Sequence, residues 1–164
     1  MSVELAGAEA LDELRPLWLA LRRHHGEVAP DSGRLRSEEE SWASRRAAYA
    51  RWLADGDAFV AIARDDDDPA APARGYAFVN LVPNGATWGE PARIGMVESL
   101  VVDPEARGGG HGLALMRAVW DEVAERGGDE VRLTVLAGNA PGVAFYERIG
   151  MTPFEHVMRA RRRP

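Results

Sequence analysis

The chain has 164 residues, 46% of them hydrophobic and 28% charged, which predicts one soluble globular domain spanning residues 1–164. It contains no cysteine and its basic residues are all arginine, which excludes thiolate nucleophiles, cysteine-bound metals, P-loop lysines and Schiff-base chemistry. The formal net charge of −6 disfavours a nucleic-acid surface and suits a cationic small-molecule partner. No stretch approaches the roughly 20 apolar residues of a membrane span, so we expect a cytoplasmic protein without membrane contact.

The first predicted elements are a short strand and an amphipathic helix. Apolar side chains step by three and four between Leu11 and His25, which predicts a helix over residues 9–25. Proline lacks a backbone donor and crowds the preceding turn, so Pro16 either kinks this helix or lies in its first turn. A break is expected over residues 26–33.

A second helix and a hairpin follow. Ser37 and Glu40 have the spacing of a capping box, and the helix that they begin is expected to end near Gly56. Residues 58–63 and 75–82 are β-prone runs separated by a polar segment, which predicts two strands joined by a loop.

Acidic residues mark two places in the middle of the chain. The hairpin loop contains the run Asp65–Asp68, which we interpret as a solvated tip. The next predicted strand, Ile94–Val102, is almost entirely apolar, as expected for a strand buried on both faces. Glu98 interrupts this apolar run, so its carboxylate is a candidate functional group.

The last third of the chain alternates helices and strands. The segment Gly112–Arg126 has an apolar face and a charged face and ends at two glycines, which predicts the clearest helix. A strand over Glu130–Ala137, a short helix over Pro141–Ile149 and a final strand over Phe154–Arg159 are predicted after it. The predicted element order is therefore β-α-α-β-β-β-α-β-α-β.

A glycine-rich segment, Asp103–Gly112, connects the apolar strand to the clearest helix. Its glycines permit backbone conformations that expose consecutive N–H groups. At a helix N-terminus such groups form an anion site, for which phosphate is the usual ligand. The spacing does not match the dinucleotide fingerprint G-x-G-x-x-G, so the segment predicts a different pyrophosphate-bearing ligand.

This segment resembles the pyrophosphate loop of the GNAT superfamily of acetyl-CoA-dependent N-acyltransferases, which reads Arg/Gln-x-x-Gly-x-Gly/Ala after a strand. Here the loop is Arg107–Gly112. The resemblance extends to the preceding segment Glu98–Pro104 and to the downstream segment Asn139–Gly150. It implies a single α/β domain of the mixed α+β type, with a twisted, mostly antiparallel sheet whose central strands splay and which helices flank.

The resemblance also implies which residues hold acetyl-CoA as the co-substrate. The backbone of Leu100, Val101 and Val102 would pair with the pantetheine arm, Asn139 would bind this arm through its side chain, and Phe145 would flank it. His111 would contribute only its backbone N–H, with its ring facing solvent. The amides that would hold the pyrophosphate are those of Arg107, Gly108, Gly109, Gly110, His111 and Gly112.

The implied reaction is direct attack of an amine on the thioester in a ternary complex. Tyr146, which would also flank the pantetheine arm, resembles the general acid that protonates the departing thiolate. A backbone N–H of Leu100 or Val101 would stabilise the oxyanion. Because alkylamines titrate near a pH of about 10.4, a base must remove a proton. Glu98 is the candidate base, resembling a strand glutamate of polyamine-type members, and a water relay is the alternative.

Structural roles are the alternatives for several of these residues. Tyr146 is otherwise a core aromatic on a short helix. Glu98 is otherwise a buried carboxylate paired with the backbone or with Arg93, and in either role it is expected to have a partner. Trp88 is expected to pack in the core.

The two N-terminal helices carry the candidate acceptor pocket. Trp18, His25 and Trp42 lie where this superfamily builds that pocket, and core packing is the alternative for the two tryptophans. His24, His25 and Glu27 are too close in sequence to converge on a metal ion, so no metal is predicted.

The sequence thus predicts an N-acetyltransferase acting on a primary amine of a small cationic molecule, such as a polyamine, an aminoglycoside or an amino-acid derivative. Acetylation of a protein or peptide amine is the alternative within the enzyme class. A non-catalytic acyl-CoA-binding module and a structural domain with a vestigial site are the alternatives outside it. The resemblance also suggests a homodimer, with the C-terminal strand as a candidate contact.

Overall fold

The computed structural model describes residues 1–65, 68 and 70–160, so part of the predicted Asp65–Asp68 tip and residues 161–164 lie outside the described residues. The chain divides into two compact units, Met1–Thr134 and Val135–Pro164. The elements of the first unit are β1 (Ser2–Ala6), α1 (Arg15–Val28), α2 (Glu38–Ala54), β2 (Ala58–Arg64), β3 (Gly75–Pro83), β4 (Arg93–Val102), α3 (His111–Glu125) and β5 (Glu130–Leu133).

The strands of the first unit form one mixed sheet in the order β1-β2-β3-β4-β5. Neighbours among the first four strands are antiparallel, and β5 runs parallel to β4. The predicted mostly antiparallel mixed sheet is confirmed, and the predicted hairpin is confirmed as the β2–β3 pair.

Helices cover both faces of this sheet, which gives the first unit two apolar layers. On one face, Trp18 of α1 and Tyr49 of α2 pack in a cluster with Phe78 of β3. On the other face, Leu115 and Val119 of α3 pack against the sheet. Every residue of β2 is buried because this strand lies inside the sheet between the two helical layers.

The first helix differs from its prediction. Residues Ala8–Leu14 form a 3-10 helix, and the α-helix begins only at Arg15. Pro16 therefore lies in the first turn of α1, where a backbone N–H has no intrahelical acceptor to lose. Helix α1 continues through Gly26 to Val28, so the break begins later than predicted.

The capping box of α2 is confirmed. Ser37 Oγ accepts the Glu40 N–H at 3.2 Å, and Glu40 Oε2 accepts the Ser37 N–H at 2.9 Å. Helix α2 ends at Ala54, close to the predicted end at Gly56.

Strand β4 contains a β-bulge at Glu98. Ser99 pairs with Phe78 and Val97 pairs with Val79, so Glu98 is an extra residue opposite β3. The prediction that this strand is buried on both faces is wrong, since most of it alternates buried with half-buried residues. Its outer neighbour β5 is short, so β4 is covered less completely than β2.

The second unit contains the helix α4 (Ala140–Arg148), close to the prediction. The strand predicted over Phe154–Arg159 is wrong, since residues 151–160 have no regular secondary structure. Alternating hydrophobicity predicted that strand, but an alternating segment becomes a strand only where a neighbour accepts its ladder hydrogen bonds.

Strand β5 is also shorter than predicted and ends at Leu133. Across the described ranges, no helix is both long and apolar enough to cross a bilayer.

Candidate active site

The glycine-rich loop turns sharply into α3. Asp103 Oδ1 accepts the Glu105 N–H at 3.0 Å, which begins a single 3-10 turn after β4. Gly108 and Gly110 then have φ angles of +84° and +87°. Side chains rarely adopt this left-handed conformation, so the path of the loop requires glycine at these two positions.

The end of this loop leaves backbone donors at the start of α3. Gly110 is the N-cap and has no side chain to cap the helix. The Ala114 N–H donates to the Gly110 carbonyl at 3.0 Å, which is the first hydrogen bond of the helix, so the N–H groups of His111, Gly112 and Leu113 have no intrahelical acceptor. The exposed Arg107 side chain makes no ion pair within the part of the chain that the structure describes. These donors and the helix dipole fit a pyrophosphate.

The ring of His111 does not face solvent, which corrects the prediction for this residue. His111 is 5% exposed, and its Nε2 lies 3.0 Å from Asp65 Oδ1 while Nδ1 lies 3.3 Å from the Ala106 carbonyl oxygen. Arg74 bridges Asp65 at 2.7 Å and Asp103 at 3.1 Å. The loop is therefore attached at both ends to the β2–β3 hairpin.

Strand β4 presents an open side next to the loop. Strand β5 pairs with β4 only over Ile94–Val97, although β4 continues to Val102. Considering only the described residues of the first unit, the side of Glu98–Val102 opposite β3 has no strand partner. This geometry can accept an extended ligand as an added strand.

The hydrogen bonds between β3 and β4 show which backbone N–H groups of β4 point to this open side. The Asp103 N–H donates to the Arg74 carbonyl at 2.8 Å. Successive residues of an antiparallel strand point their N–H groups to alternate sides, so the Val101 N–H is also directed at β3. The N–H groups of Leu100 and Val102 are directed at the open side.

The half-buried Glu98 lies at the bulge on β4. Burial raises the pKa of its carboxyl above the ordinary value of 4.5, and the positive charge of Arg45 opposes that shift. The expected hydrogen-bonded partner is absent among the residues described, and Arg93 instead contacts Asp57 and the Arg126 carbonyl. A carboxylate with a raised pKa and free oxygens is suited to proton transfer.

A chain of buried hydroxyls supports the bulge, and no local sequence pattern predicts it. Tyr49 Oη donates to Ser99 Oγ at 2.7 Å and lies 3.3 Å from Tyr76 Oη. Ser99 Oγ in turn donates to the Glu98 carbonyl at 2.8 Å. The bulge is thereby tied to α2.

The second unit carries the other predicted site residues, on and before α4. Asn139 caps this helix, its Oδ1 accepting the Gly142 N–H at 3.2 Å. Phe145 and Tyr146 are half-buried, and their rings meet edge to face with centroids 5.3 Å apart. Burial raises the pKa of Tyr146 to about 12, which keeps its hydroxyl protonated at neutral pH.

A cavity of about 250 Å³ lies beside α1 and α2. Trp18 lines this cavity and also packs in the core, and its role in an acceptor pocket stays a prediction. Trp42 is a core residue outside the cavity lining. Burial is the main cause that lowers the pKa of the half-buried His25, with His24 and Arg45 adding to it. The cavity is lined by Trp18, Arg36, Ser41, Ser44, Arg45 and Ala48.

Four of these lining residues lie on α2 and were not predicted as site residues. Ser41, Ser44, Arg45 and Ala48 recur at intervals of three and four, so the helical period would have placed them on one face. Trp88, expected in the core, is 62% exposed. No group of three or more histidine, aspartate or glutamate side chains able to hold a metal occurs within the described ranges.

Comparison with known proteins yields one consistent family. Residues 18–151 match the profile described as "Acetyltransferase (GNAT) family". The mycothiol acetyltransferase of Salinispora arenicola is 37% identical over 134 residues, which cover 81% of this chain and 39% of that protein. The mycothiol acetyltransferase of Rhodococcus jostii is 29% identical over 92% of this chain and 51% of its own length. The chain therefore spans about half or less of these two relatives.

The fold also occurs among solved structures. A tetramutant of the BH1408 protein of Bacillus halodurans superposes with a TM-score of 0.80 at 18% sequence identity, covering 98% of this chain and 99% of that chain. At this level of identity the likeness concerns the fold alone.

Proposed function

Because the chain belongs to the GNAT acetyltransferase family, we propose that it transfers an acetyl group from acetyl-CoA to a primary amine of a small molecule. The observation that carries this proposal is that the open side of β4 is followed along the chain by a loop with free backbone donors at the start of α3. An extended arm ending in a pyrophosphate is complementary to this pair of features.

The proposed donor contacts follow the chain from β4 into α3. The pantetheine arm lies along Leu100–Val102 and the pyrophosphate binds the amides of Arg107–Gly112. Asn139 and Phe145 contact the arm as the family resemblance implies.

The proposed chemistry needs no covalent enzyme intermediate. The amine nitrogen attacks the thioester carbonyl carbon, the carbon–sulfur bond breaks, and the sulfur leaves with the bonding electron pair. We assign the oxyanion to the Leu100 N–H, since the Val101 N–H is directed at β3. Before the attack, Glu98, or a water bound to it, removes a proton from the substrate ammonium, which leaves the neutral amine with the lone pair that forms the new carbon–nitrogen bond.

Tyr146 is assigned to the leaving sulfur, as the family resemblance implies. With a pKa of about 12 its hydroxyl is protonated at neutral pH, so it can donate a hydrogen bond to the developing thiolate and supply the proton that the sulfur takes up as it leaves.

The acceptor is proposed to be a small molecule, from the polyamines, aminoglycosides or amino-acid derivatives. Two relatives carry the name mycothiol acetyltransferase, which supports a small acceptor over a protein or peptide. The cytoplasmic location and the homodimer remain predictions, and the C-terminal strand suggested as the dimer contact does not form.

The test is release of the coenzyme A thiol from acetyl-CoA in the presence of each amine class. The chain contains no cysteine, so a thiol reagent reports only the product. Amine-dependent release supports the proposal. Tight binding of acetyl-CoA without release under any amine, including peptides, would instead favour a non-catalytic acyl-CoA-binding module.

A further inference from the structure

The cavity beside α1 and α2 differs in charge from the chain as a whole. Two guanidinium groups, Arg36 and Arg45, and two hydroxyls, Ser41 and Ser44, line it, and no carboxylate does so among the described residues. The whole chain carries a formal net charge of −6. A local excess of positive charge in an acidic protein indicates a ligand with a negative group.

Arg45 is held by aromatic rings and not by an acid. Its guanidinium carbon lies 4.6 Å from the Trp18 ring centroid and 5.4 Å from the Tyr49 ring centroid. Stacking orients the guanidinium plane and leaves its N–H donors for another group. The next residue, Arg46, binds Asp12 at 2.6 Å, whereas no described carboxylate lies within the 4.0 Å ion-pair distance of Arg45.

The two serines add donors to the same wall. Ser41 Oγ accepts the Trp18 Nε1–H at 3.1 Å, and Ser44 Oγ accepts an N–H from Arg36 Nη1 at 3.0 Å. A hydroxyl that accepts from a protein donor still has its own proton to give. The wall is therefore rich in hydrogen-bond donors. A carboxylate or a phosphate has the acceptor oxygens that such donors bind.

Glu98 supplies the opposite charge nearby. Contacts connect the cavity wall with the proposed base: the Arg45 guanidinium carbon lies 5.4 Å from the Tyr49 ring centroid, and Tyr49 Oη donates to Ser99, the residue after Glu98 in β4. The positive charge of Arg45 also opposes the rise in the pKa of Glu98 that burial causes. A ligand with an ammonium at Glu98 and an anionic group at Arg45 would match the site at both ends. The volume of about 250 Å³ is below the roughly 300–1,000 Å³ of sites for drug-sized ligands, which suits a short molecule.

We propose that the acceptor amine carries a carboxylate or phosphate group, and that Arg45, with the Ser41 and Ser44 hydroxyls, binds this group and determines specificity. The proposal rests on the proposed acetyl transfer and narrows its acceptor. It favours short amino acids and phosphorylated amines over polyamines and aminoglycosides.

The experiment compares matched pairs of amines that differ only in the anionic group. β-Alanine and γ-aminobutyrate are compared with their amides, and O-phosphoethanolamine with ethanolamine. Thiol release from acetyl-CoA gives kcat/KM for each, normalised to the unprotonated amine because a nearby anion raises the amine pKa. We expect a preference of about 10- to 100-fold for at least one anionic member, and the pair that shows it distinguishes carboxylate from phosphate.

Variants assign that preference to Arg45. In Arg45→Gln the anionic-to-neutral ratio of kcat/KM should fall to about 1, and Arg45→Lys should retain part of it because the charge remains. Arg46→Gln is the matched control. Arg46 follows Arg45 in the chain but binds Asp12, so this variant should keep the wild-type ratio. A melting temperature near that of the wild type shows that each variant is folded.

Calorimetry separates this inference from the proposed function. Each amine is titrated into protein saturated with coenzyme A, which requires no turnover. Tighter binding of an anionic member that depends on Arg45 supports the inference even if no thiol is released, in which case only the transferase proposal fails. Equal or better acetylation and binding of the neutral members would overturn the inference while leaving the transferase intact.

Discussion

The imidazole Nε2 of His111 lies 3.0 Å from Asp65 Oδ1, so the first residue of α3 is bonded to the end of β2. Asp65→Ala removes this bond together with the exposed Arg74 ion pair, so it should loosen the loop and weaken acetyl-CoA binding by about 2- to 10-fold, near the value of one hydrogen bond because an exposed ion pair adds little. The kcat at saturating acetyl-CoA should change little. Asp12→Ala, which removes another exposed aspartate–arginine pair, is the control for titration calorimetry and should bind normally. Equal affinity of both variants would contradict a positioning role.

The second prediction concerns the glycine loop. Gly110→Glu introduces a side chain at a φ of +87° and a negative charge beside the proposed pyrophosphate site, so coenzyme A binding should be lost. Gly127, beyond the other end of α3, has a φ of +76° and open surroundings, and a Cβ at Gly110 would meet only Met1 Cε at 3.8 Å, which makes Gly127→Glu a matched control. Both changes should destabilise folding by about 1–2 kcal/mol in urea titrations. Only the loop variant should lose binding, and retained affinity there would refute the assignment of the loop.

The third prediction links the activity and stability effects of Glu98. As the base, Glu98→Gln should lower kcat by about 100-fold or more and remove the acidic limb of the pH–rate profile. The raised pKa means that this carboxyl ionises less readily in the folded protein than in the unfolded chain. The free energy of unfolding of the wild type therefore falls as pH rises from 4.5 through the raised pKa. The variant should therefore be the more stable protein at pH 8, and the difference should vanish below pH 4.5.

Urea unfolding at pH 8 and below pH 4.5 measures this difference in stability between Glu98→Gln and the wild type, with Glu90→Gln as an exposed control. A variant with unchanged turnover and an unchanged acidic limb would assign the proton transfer to a water relay.

The fourth prediction tests Tyr146. Tyr146→Phe should lower kcat by about 100- to 10,000-fold and leave the affinity for coenzyme A within a small factor. Because burial raises the pKa of this hydroxyl to about 12, wild-type turnover should show no alkaline loss from Tyr146 below pH 10. Steady-state rates between pH 6 and 10 and calorimetry with coenzyme A provide both readouts. Turnover equal to the wild type across that range would leave Tyr146 with a packing role only.

The features that the sequence predicted correctly depend on neighbours along the chain. The capping box of Ser37 and the glycine loop are sequential patterns, and both occur as expected. The contacts of His111 with Asp65 and of Arg45 with Trp18 join residues far apart in the sequence, and no local pattern encodes them. Likewise, alternation at Phe154–Arg159 describes a suitable strand but not the neighbour that a strand requires.

The cavity proposed to bind the acceptor amine is built from one continuous part of the chain, and this has a consequence for evolution. Its walls come from the continuous stretch between Trp18 and Ala48, whereas the loop proposed for the donor begins after β4. A short exchange of coding sequence could therefore replace the acceptor preference in one event and leave the donor half untouched. Selection can in this way diversify the molecules that are modified while the acyl donor stays fixed.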